Sequence, residues 1–275
     1  MDFPDHWGMN FTQTQHESAT GPTLPENNKV PSDTPFVVLV TGAGKGLGYH
    51  ISLAYVRAGA TGLIISSRTQ SDLDKLEKEL LTVNPQLKVL SQICDTSKPE
   101  DVQSLASATK EKFNGQLDVV VANAGIISAY VHDTDPDTGE KTNRRLPVGV
   151  VEDDDFKRVN DINYMGTYYT AKYLTPLLTS SPSKIKAFIV ITSTACHCVS
   201  SSIIPVAYAV SKLAVNRLVE HIALDHGKEG VQAFAVHPGE VLTPQTERHS
   251  TQKGDVWDSS KRRGNPRPDP ILTTQ

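Results

Sequence analysis

The sequence predicts a single α/β domain in which a doubly wound parallel sheet carries helices on both faces. Short runs of apolar and β-branched residues alternate with longer segments of helical periodicity, which is typical of parallel strands joined by crossover helices. The first run, Phe36 to Val40, leads into glycines at 42, 44, 46 and 48, and a helical pattern follows. A strand, a glycine turn and a helix open a βαβ unit. At 275 residues, the chain can bury a sizeable core.

The later strands are predicted from short apolar runs bounded by turn residues. These runs are Leu63–Ser66, Leu117–Ala122, Ala187–Thr192 and Val231–Val236, whereas Leu87–Ile93 is predicted as a strand from its alternation. Helical periodicity predicts the intervening helices over 71–81, 99–112, 156–178 and 205–224. Right-handed crossovers then favour the strand order 3-2-1-4-5-6, and a seventh, C-terminal strand is doubtful.

Both ends of the chain lack this pattern. Residues 1–35 are polar and contain five prolines, which predicts an arm without regular structure. Residues 244–275 are polar and basic and predict an irregular tail. Between them, 36–243 form the predicted domain. Within it, the polar stretch 128–150 is interpreted as an exposed loop beside the site.

Charge and cysteine content restrict the partners and the compartment. A formal net charge of -4 gives no indication of nucleic-acid binding, and no apolar run is long enough to span a bilayer. Three cysteines do not make a disulfide framework, so we expect a cytoplasmic protein. Cys196-His197-Cys198 lacks a second ligand pair at zinc spacing, so no metal site is expected.

The glycine turn predicts a nucleotide site. Backbone N–H groups at a helix start favour a phosphate, and glycines let it come close. The spacing matches neither the dinucleotide fingerprint G-x-G-x-x-G nor the P-loop. A tight turn without a ligand is the alternative. The residues expected to contact the nucleotide are Thr41, Gly42, Lys45, Gly46, Leu47 and Gly48.

The same turn, Thr41-Gly42-x-x-x-Gly46-Leu47-Gly48, resembles the cofactor turn of the short-chain dehydrogenase/reductase family, whose fold is Rossmann-like. The resemblance covers about residues 36–243. It implies an oxidoreductase that uses a nicotinamide cofactor and interconverts a ketone or aldehyde and an alcohol. The later motifs stand in the family's order: Asn123-Ala124-Gly125, Asn163-x-x-Gly166, Ser193-Thr194, Tyr208-x-x-x-Lys212 and Pro238-Gly239.

Two cations favour NADP over NAD. An NAD enzyme usually carries an acid near the end of the second strand to hold the ribose 2′-hydroxyl, and here Ser67 and Arg68 stand there. A guanidinium pairs with a 2′-phosphate, which a carboxylate would repel. Lys45 adds a second cation at the same corner. The alternative is that both cations are solvated surface charges. The combination of Lys45 and Ser67-Arg68-Thr69 also resembles the family's NADPH-dependent carbonyl and xylulose reductases.

The resemblance implies further cofactor contacts. Asp95, after the third strand, would contact the adenine amino group, although a cap for the next turn or helix explains it nearly as well. Asn123 would lie near the adenosine ribose. Val241 and Thr243 would contact the nicotinamide carboxamide.

Tyr208 and Lys212 predict the reacting centre. They lie four residues apart on a predicted helix and therefore share one face. A tyrosine hydroxyl has an ordinary pKa of about 10, and a nearby ammonium should lower it toward that of a general acid and base. The resemblance adds that Lys212 holds the cofactor's ribose, that Asn163 orders a relay water and that a serine polarises the carbonyl.

The position of that serine is ambiguous. The family's spacing places it 13 residues before the tyrosine, which here reaches Ala195. Matching the end of the strand instead gives Thr194, with Ser193 directly before it. Both hydroxyls remain candidates.

We therefore expect an NADP-dependent enzyme that acts on a small organic molecule. The resemblance to fungal members suggests a secondary-metabolite intermediate. The alternative is an NADP-binding protein without turnover, a truncated member acting as a partner or regulator, because the family's usual C-terminal segment is not visible after Thr243.

Association is predicted from two helices, 156–178 and 205–224. Their apolar residues cover more of the circumference than packing against one sheet requires. Pairing about a two-fold axis would bury the excess, and the family commonly associates in this way. We expect a homodimer or homotetramer, and coverage by local loops is the alternative.

Overall fold

The computed structural model describes residues 27–30, 34–128, 132–139, 141–143, 154–199, 204–239, 241 and 243–247. The strands are β1 (Val37–Thr41), β2 (Gly62–Ser67), β3 (Lys88–Ile93), β4 (Val119–Ala122), β5 (His132–Thr134), β6 (Lys141–Asn143), β7 (Ala187–Ile191) and β8 (Gln232–Val236). The helices are α1 (Gly46–Ala58), α2 (Gln70–Val83), α3 (Pro99–Lys112), α4 (Asp154–Asn160), α5 (Gly166–Ser180), α6 (Val206–His226) and α7 (Pro244–Glu247).

Six strands form one parallel sheet in the order β3-β2-β1-β4-β7-β8. Because β7 and β8 are the fifth and sixth strands of this sheet along the chain, the predicted order 3-2-1-4-5-6 is confirmed. The order reverses between β1 and β4, and ligands of such sheets bind at that point, outside the carboxyl ends of the strands. The question of a seventh strand falls outside the described residues.

The sheet separates two hydrophobic cores, as the alternation of side chains along a strand requires. On β1, Val37 and Leu39 belong to one core, whereas Val38 and Val40 belong to the other. Helices α3, α5 and α6 pack on the first face, and α1 and α2 pack on the second. Strands β1, β2 and β4 are buried on both faces, so they appear in the sequence as nearly continuous apolar runs. The edge strands β3 and β8 are partly exposed.

The segment 128–150 differs from the expected loop. Its described part contains an antiparallel hairpin of β5 and β6. The turn is specified locally, because the Asp135 carboxylate accepts the N–H groups of Asp137 and Thr138, and Gly139 adopts a left-handed φ of 69°. Such side-chain-capped turns have no periodic signature, so the apolar pattern did not predict the hairpin.

The predicted helix at 156–178 is interrupted by one π-helical turn, Asp161–Met165, between α4 and α5. The N–H of Gly166 donates to the carbonyl of Asp161, five residues earlier. A Cβ on Gly166 would lie 2.7 Å from Thr96 Oγ1, so glycine permits this close packing. The π turn carries Asn163, and such turns are frequent at functional sites.

Described parts of both termini contact the domain. In the predicted arm, the N–H of Val30 donates to the carbonyl of Ala58 at the end of α1. In the predicted tail, α7 is a single helical turn where irregular chain was expected. Thr243 and Thr246 cap it reciprocally, each hydroxyl accepting the other's N–H. The rest of the arm and tail lies outside the described residues.

In the described ranges, every helix is too short or too polar to cross a membrane.

Candidate active site

A cleft of about 780 Å³ opens at the carboxyl ends of β1 and β4, where the strand order reverses. Its wall runs from the glycine turn before α1, across the ends of β2, β3 and β4, to α6 and the residues after β8. The cleft therefore brings together residues that are more than 150 positions apart in the sequence. Its volume lies in the range that is typical of ligand-binding pockets.

The glycine turn closes one end of the cleft, and its geometry requires glycine. Gly42 has a left-handed φ of 64°, and a Cβ on Gly48 would lie 2.4 Å from the carbonyl oxygen of Gly42. Among the described residues, no side chain caps the start of α1, and its first turn contains no acidic residue. The first N–H groups of α1 are thus available to a phosphate, so the cradle fits the pyrophosphate of a dinucleotide.

Thr41 and Asn123 hold this turn against the end of β4. The Thr41 hydroxyl accepts the N–H groups of Asn123 and Ala124, each at 3.1 Å. The Asn123 amide donates to the carbonyls of Thr41 and Gly42, at 2.9 and 3.1 Å. The glycine turn predicts Thr41 as a cofactor contact, and the resemblance implies the same for Asn123. In the structure they fix the position of the turn.

Tyr208, Lys212 and Ser193 meet at the other end. Residues Tyr208 and Lys212 lie on one face of α6, as the spacing predicted, and both line the cleft. The Tyr208 hydroxyl shares a hydrogen bond with the Ser193 side chain. The Lys212 ammonium lies 5.6 Å from the centroid of the Tyr208 ring and donates to the carbonyl of Ile191 at 2.8 Å.

The two candidate hydroxyls have different surroundings, although both line the cleft. Ser193 precedes a 3₁₀ turn, Thr194–His197, and its Oγ accepts the N–H of Ala195 at 3.1 Å. That position directs the Ser193 hydroxyl to Tyr208, whereas Thr194 begins the turn and lines the cleft beside it. Ser193 lies 15 residues before Tyr208 and Thr194 lies 14 before it, compared with 13 in the family's spacing.

Asn163 is fully buried beneath the reacting centre. Its amide oxygen accepts the N–H of Ile126 at 2.8 Å, and its amide nitrogen donates to the carbonyl of Ile126 and the hydroxyl of Ser211. The Ser211 hydroxyl donates in turn to the carbonyl of Tyr208. The side chain of Asn163 therefore joins the π turn to α6 and to the segment that follows β4.

The end of the cleft at the glycine turn carries the two predicted cations and also the carboxylate of Asp72. Lys45, Ser67 and Arg68 all line the cleft. Lys45 is paired with Asp72 of α2, at 3.0 Å between Nζ and Oδ2. Sequence reasoning missed Asp72 because it lies in the first turn of the next helix, where an acidic residue is ordinary.

The remaining predicted contacts also border the cleft. Asp95 Oδ1 accepts the N–H and the hydroxyl of Ser97, so this carboxylate caps a turn, as the alternative interpretation held. Val241 and Thr243 lie on the opposite side. Thr243 packs against the glycine turn, because a Cβ on Gly46 would meet its side chain at 3.5 Å.

Comparison with known proteins decides the family. A model of the family described as short chain dehydrogenase matches residues 36–254. The chain belongs to the short-chain dehydrogenase family. It is an oxidoreductase of that family, as the motifs predicted.

Its relatives include fungal and mammalian members. "Short chain dehydrogenase pgmD" of Aspergillus terreus is 38% identical over 253 residues, which is 88% of this chain and 74% of the relative. "L-fucose dehydrogenase" of Bos taurus is 31% identical over 219 residues, 80% of this chain and 71% of that protein.

Solved structures of the family share the fold. Levodione reductase superimposes with a TM-score of 0.66 at 24% identity, over 78% of this chain and 75% of its own. An alcohol dehydrogenase from Thermococcus sibiricus, solved with 5-hydroxy-NADP, gives a TM-score of 0.61 at 26% identity, over 76% of this chain and 77% of its own. The predicted doubly wound fold is confirmed.

The proton chemistry of this short-chain dehydrogenase differs from the expectation for Tyr208. Burial raises the pKa of Tyr208 to about 12, although the hydrogen bond with Ser193 acts in the opposite direction. The expected lowering by Lys212 does not prevail, because the ammonium lies beside the ring and bonds to Ile191. Burial also lowers the pKa of Lys212 to about 8, since only 6% of this residue is exposed.

The cysteines near the reacting centre serve packing. Cys196 and Cys198 are buried in the loop after β7, and the Asn216 amide donates to the Cys196 sulfur. Within the described ranges, there is no group of three or more His, Cys, Asp or Glu side chains placed to hold a metal ion. Burial raises the pKa of the Cys196 thiol, which disfavours the thiolate that metals bind.

Proposed function

We propose that this short-chain dehydrogenase is an NADP-dependent enzyme that interconverts a ketone or aldehyde and an alcohol. The observation that carries the proposal is the meeting of Tyr208, Ser193 and Lys212 in the cleft whose other end is the glycine turn. A proton donor, a carbonyl-polarising hydroxyl and a phosphate cradle are the groups that this reaction requires.

In the proposed mechanism, Tyr208 supplies the proton. A substrate carbonyl oxygen in reach of both hydroxyls would accept a hydrogen bond from Ser193 and the proton from Tyr208. A bound nicotinamide cofactor supplies or accepts the hydride. Lys212 would hold the ribose, and the glycine turn would hold the pyrophosphate. Asn163 positions α6 through Ser211.

The pKa of Tyr208 determines its protonation in the neutral range. At about 12, the hydroxyl keeps its proton, which is the form that carbonyl reduction needs. The raised pKa also makes the hydroxyl a weaker acid than an ordinary tyrosine, so it slows proton donation as well as proton abstraction.

The cofactor preference rests on charge. Lys45 and Arg68 border the same corner of the cleft, where a 2′-phosphate would be attracted. Ser67 stands where an NAD enzyme would carry an acid. The alcohol dehydrogenase of similar fold was solved with an NADP derivative, which agrees with this preference.

Direct assays test the activity. Purified protein is mixed with NADPH or NADH and a panel of ketones and aldehydes, and cofactor oxidation is followed by absorbance. Tyr208→Phe should abolish turnover and leave NADPH binding largely intact, because the ring still packs and only the proton is lost. A near-native rate for Tyr208→Phe would remove Tyr208 from the mechanism. Equal affinity of the native protein for both cofactors would refute the NADP preference.

The substrate class is proposed from the relatives. We place the enzyme in the metabolism of small organic molecules, with a fungal secondary-metabolite intermediate as the favoured substrate, because its relatives include fungal short chain dehydrogenases at 38% and 30% identity. The product profile after gene deletion tests this, and an unchanged profile of metabolites would contradict it.

We place the enzyme in the cytoplasm, since its three cysteines are free thiols.

A homodimer or homotetramer is proposed from the exposed apolar side chains of α5 and α6. Tyr168 on α5 and Val210 and Leu213 on α6 are exposed, with 54% of Leu213 accessible. A two-fold pairing of these helices would cover them. Light scattering at micromolar concentration decides the matter, and a stable species of monomer mass would refute the proposal.

A further inference from the structure

One corner of the cleft combines a carboxylate with the two cations proposed to bind a 2′-phosphate. Lys45 Nζ lies 3.0 Å from Asp72 Oδ2, and both residues line the cleft together with Arg68. Only 23% of the Asp72 side chain is exposed, compared with 65% for Lys45. The carboxylate is thus the more enclosed member of the pair, so it cannot simply swing away into solvent.

The surrounding chain holds Asp72 at this corner. A Cβ on Gly44 would lie 2.9 Å from the Asp72 Cβ and 2.9 Å from Ser67 Oγ, so the absence of a side chain at Gly44 lets these residues approach the glycine turn. The next residue, Leu73, is fully buried and anchors the first turn of α2. Asp72 therefore lies next to Ser67, the position at which an acid normally selects NAD.

We propose that Asp72 determines how strongly this enzyme discriminates between NADP and NAD. It neutralises Lys45 and adds a negative charge near the site of a 2′-phosphate, so the phosphate depends mainly on Arg68. The inference rests on the proposed nicotinamide-cofactor function. In physical terms, a carboxylate and a phosphate compete for one ammonium, and like charges at one corner repel each other.

A second role for the same carboxylate would affect the other class of ligand, the one without a 2′-phosphate. If Asp72 accepted a hydrogen bond from a ribose 2′-hydroxyl, its removal would weaken the binding of ligands that lack the phosphate. The two roles are therefore distinguished by which ligand responds to the loss of the charge.

The experiment compares Asp72→Asn with the native protein by calorimetric titration of 2′,5′-ADP and 5′-AMP. These fragments differ only in the 2′-phosphate and require no turnover. We expect Asp72→Asn to bind 2′,5′-ADP about fivefold more tightly, which is the order of one charge acting on a phosphate at a solvent-exposed corner. Binding of 5′-AMP should stay within about twofold.

A matched control stands two residues further along α2. Asp74→Asn makes the same charge change on the same helix, but Asp74 is exposed and bonds to Gln70 at its surface. Both fragments should bind Asp74→Asn within about twofold of native affinity. An equal gain in 2′,5′-ADP affinity for both variants would show a general charge effect and overturn the specific role of Asp72.

The part played by Lys45 is tested by a double-mutant cycle. In a Lys45→Met background, Asp72→Asn should raise the logarithm of the affinity for 2′,5′-ADP by less than half as much as it does in the native protein. The reason is that the competition for the ammonium is gone. An equal increase in 2′,5′-ADP affinity in both backgrounds would show that Asp72 does not act by neutralising Lys45.

Unchanged affinity of Asp72→Asn for 2′,5′-ADP would overturn the whole inference. Weaker binding of 5′-AMP by that variant would overturn charge repulsion as the cause and assign the effect to a hydrogen bond with the ribose. Failure of the proposed NADP preference would look different. The native protein would then bind both fragments equally, whereas the ratio of Asp72→Asn to native affinity would still report the effect of Asp72.

Discussion

Substituting Gly48 with alanine tests the packing of the glycine turn. The new Cβ would lie 2.4 Å from the carbonyl oxygen of Gly42 and 2.6 Å from Asn123 Nδ2. The first neighbour is backbone, and the second belongs to an amide that bonds to the carbonyls of Thr41 and Gly42. Neither can move without opening the connection between β1, α1 and β4.

The magnitude follows from these distances. Ordinary van der Waals contact for a Cβ begins near 3.4 Å, so the start of α1 must shift by roughly 1 Å, and overpacking of this kind costs about 1–3 kcal/mol. Loss of the two Asn123 bonds adds about 1 kcal/mol each, and the better helix propensity of alanine returns up to about 1 kcal/mol. We expect Gly48→Ala to lose about 2–4 kcal/mol of unfolding free energy.

The assay combines urea unfolding with calorimetric binding of 2′,5′-ADP. A shift of about 1 Å in the phosphate cradle should weaken binding by about 100-fold, an effect of the size that such misplacements have on positioned groups. Gly227→Ala is the matched control. Gly227 has ordinary helical angles, φ -59° and ψ -38°, and its Cβ would meet no described atom within 4 Å. That variant should keep its affinity and gain at most about 1 kcal/mol of stability.

A Gly48→Ala protein with native stability and native affinity would refute this reasoning. It would mean that the turn yields at little cost and that the close approach of Gly42 and Gly48 is not needed. A loss of stability with native affinity would refute the link between the packing of the turn and phosphate binding.

Two further predictions concern the reacting centre. The folded-state pKa of Lys212, about 8, lies below its ordinary value of 10.5, so between these values the unfolded chain binds more protons and stability should rise with pH. Relative to Lys212→Met, the native protein should gain about 1–2 kcal/mol between pH 8 and 9.5 in urea titrations, and parallel curves would contradict this. Ser193→Ala should lower kcat/KM about 100-fold, because its hydroxyl meets that of Tyr208. Thr194→Val, the control, should lower it less than about fivefold, and the reverse ranking would assign the catalytic hydroxyl to Thr194.

The order of strands and the location of the cleft could be predicted from sequence because both follow from local patterns. Each strand of the sheet is a short apolar run, and the cleft must lie where the order of parallel strands reverses. The glycine turn and the pair Tyr208 and Lys212 could also be predicted from sequence, since a turn or one helix face is determined by residues that are close in the chain.

The contact of Ser193 with Tyr208, the hydrogen bonds of Asn163 and the presence of Asp72 at the cleft are visible only in the tertiary structure. Each depends on a contact between elements far apart in sequence: β7 with α6, the π turn with the end of β4, and α2 with the glycine turn. Such contacts depend on helix position and loop geometry to within about 1 Å, which periodicity does not specify.

The pKa of Tyr208 likewise depends on the tertiary structure. Spacing on α6 determined that Lys212 would be near, and that much was correct. The direction of the shift depended on how deeply the hydroxyl is buried and on where the ammonium finds its partner, the carbonyl of Ile191. Sequence thus determined that Tyr208 and Lys212 lie close together, whereas burial and orientation, which exist only in the folded chain, decided how each of them behaves.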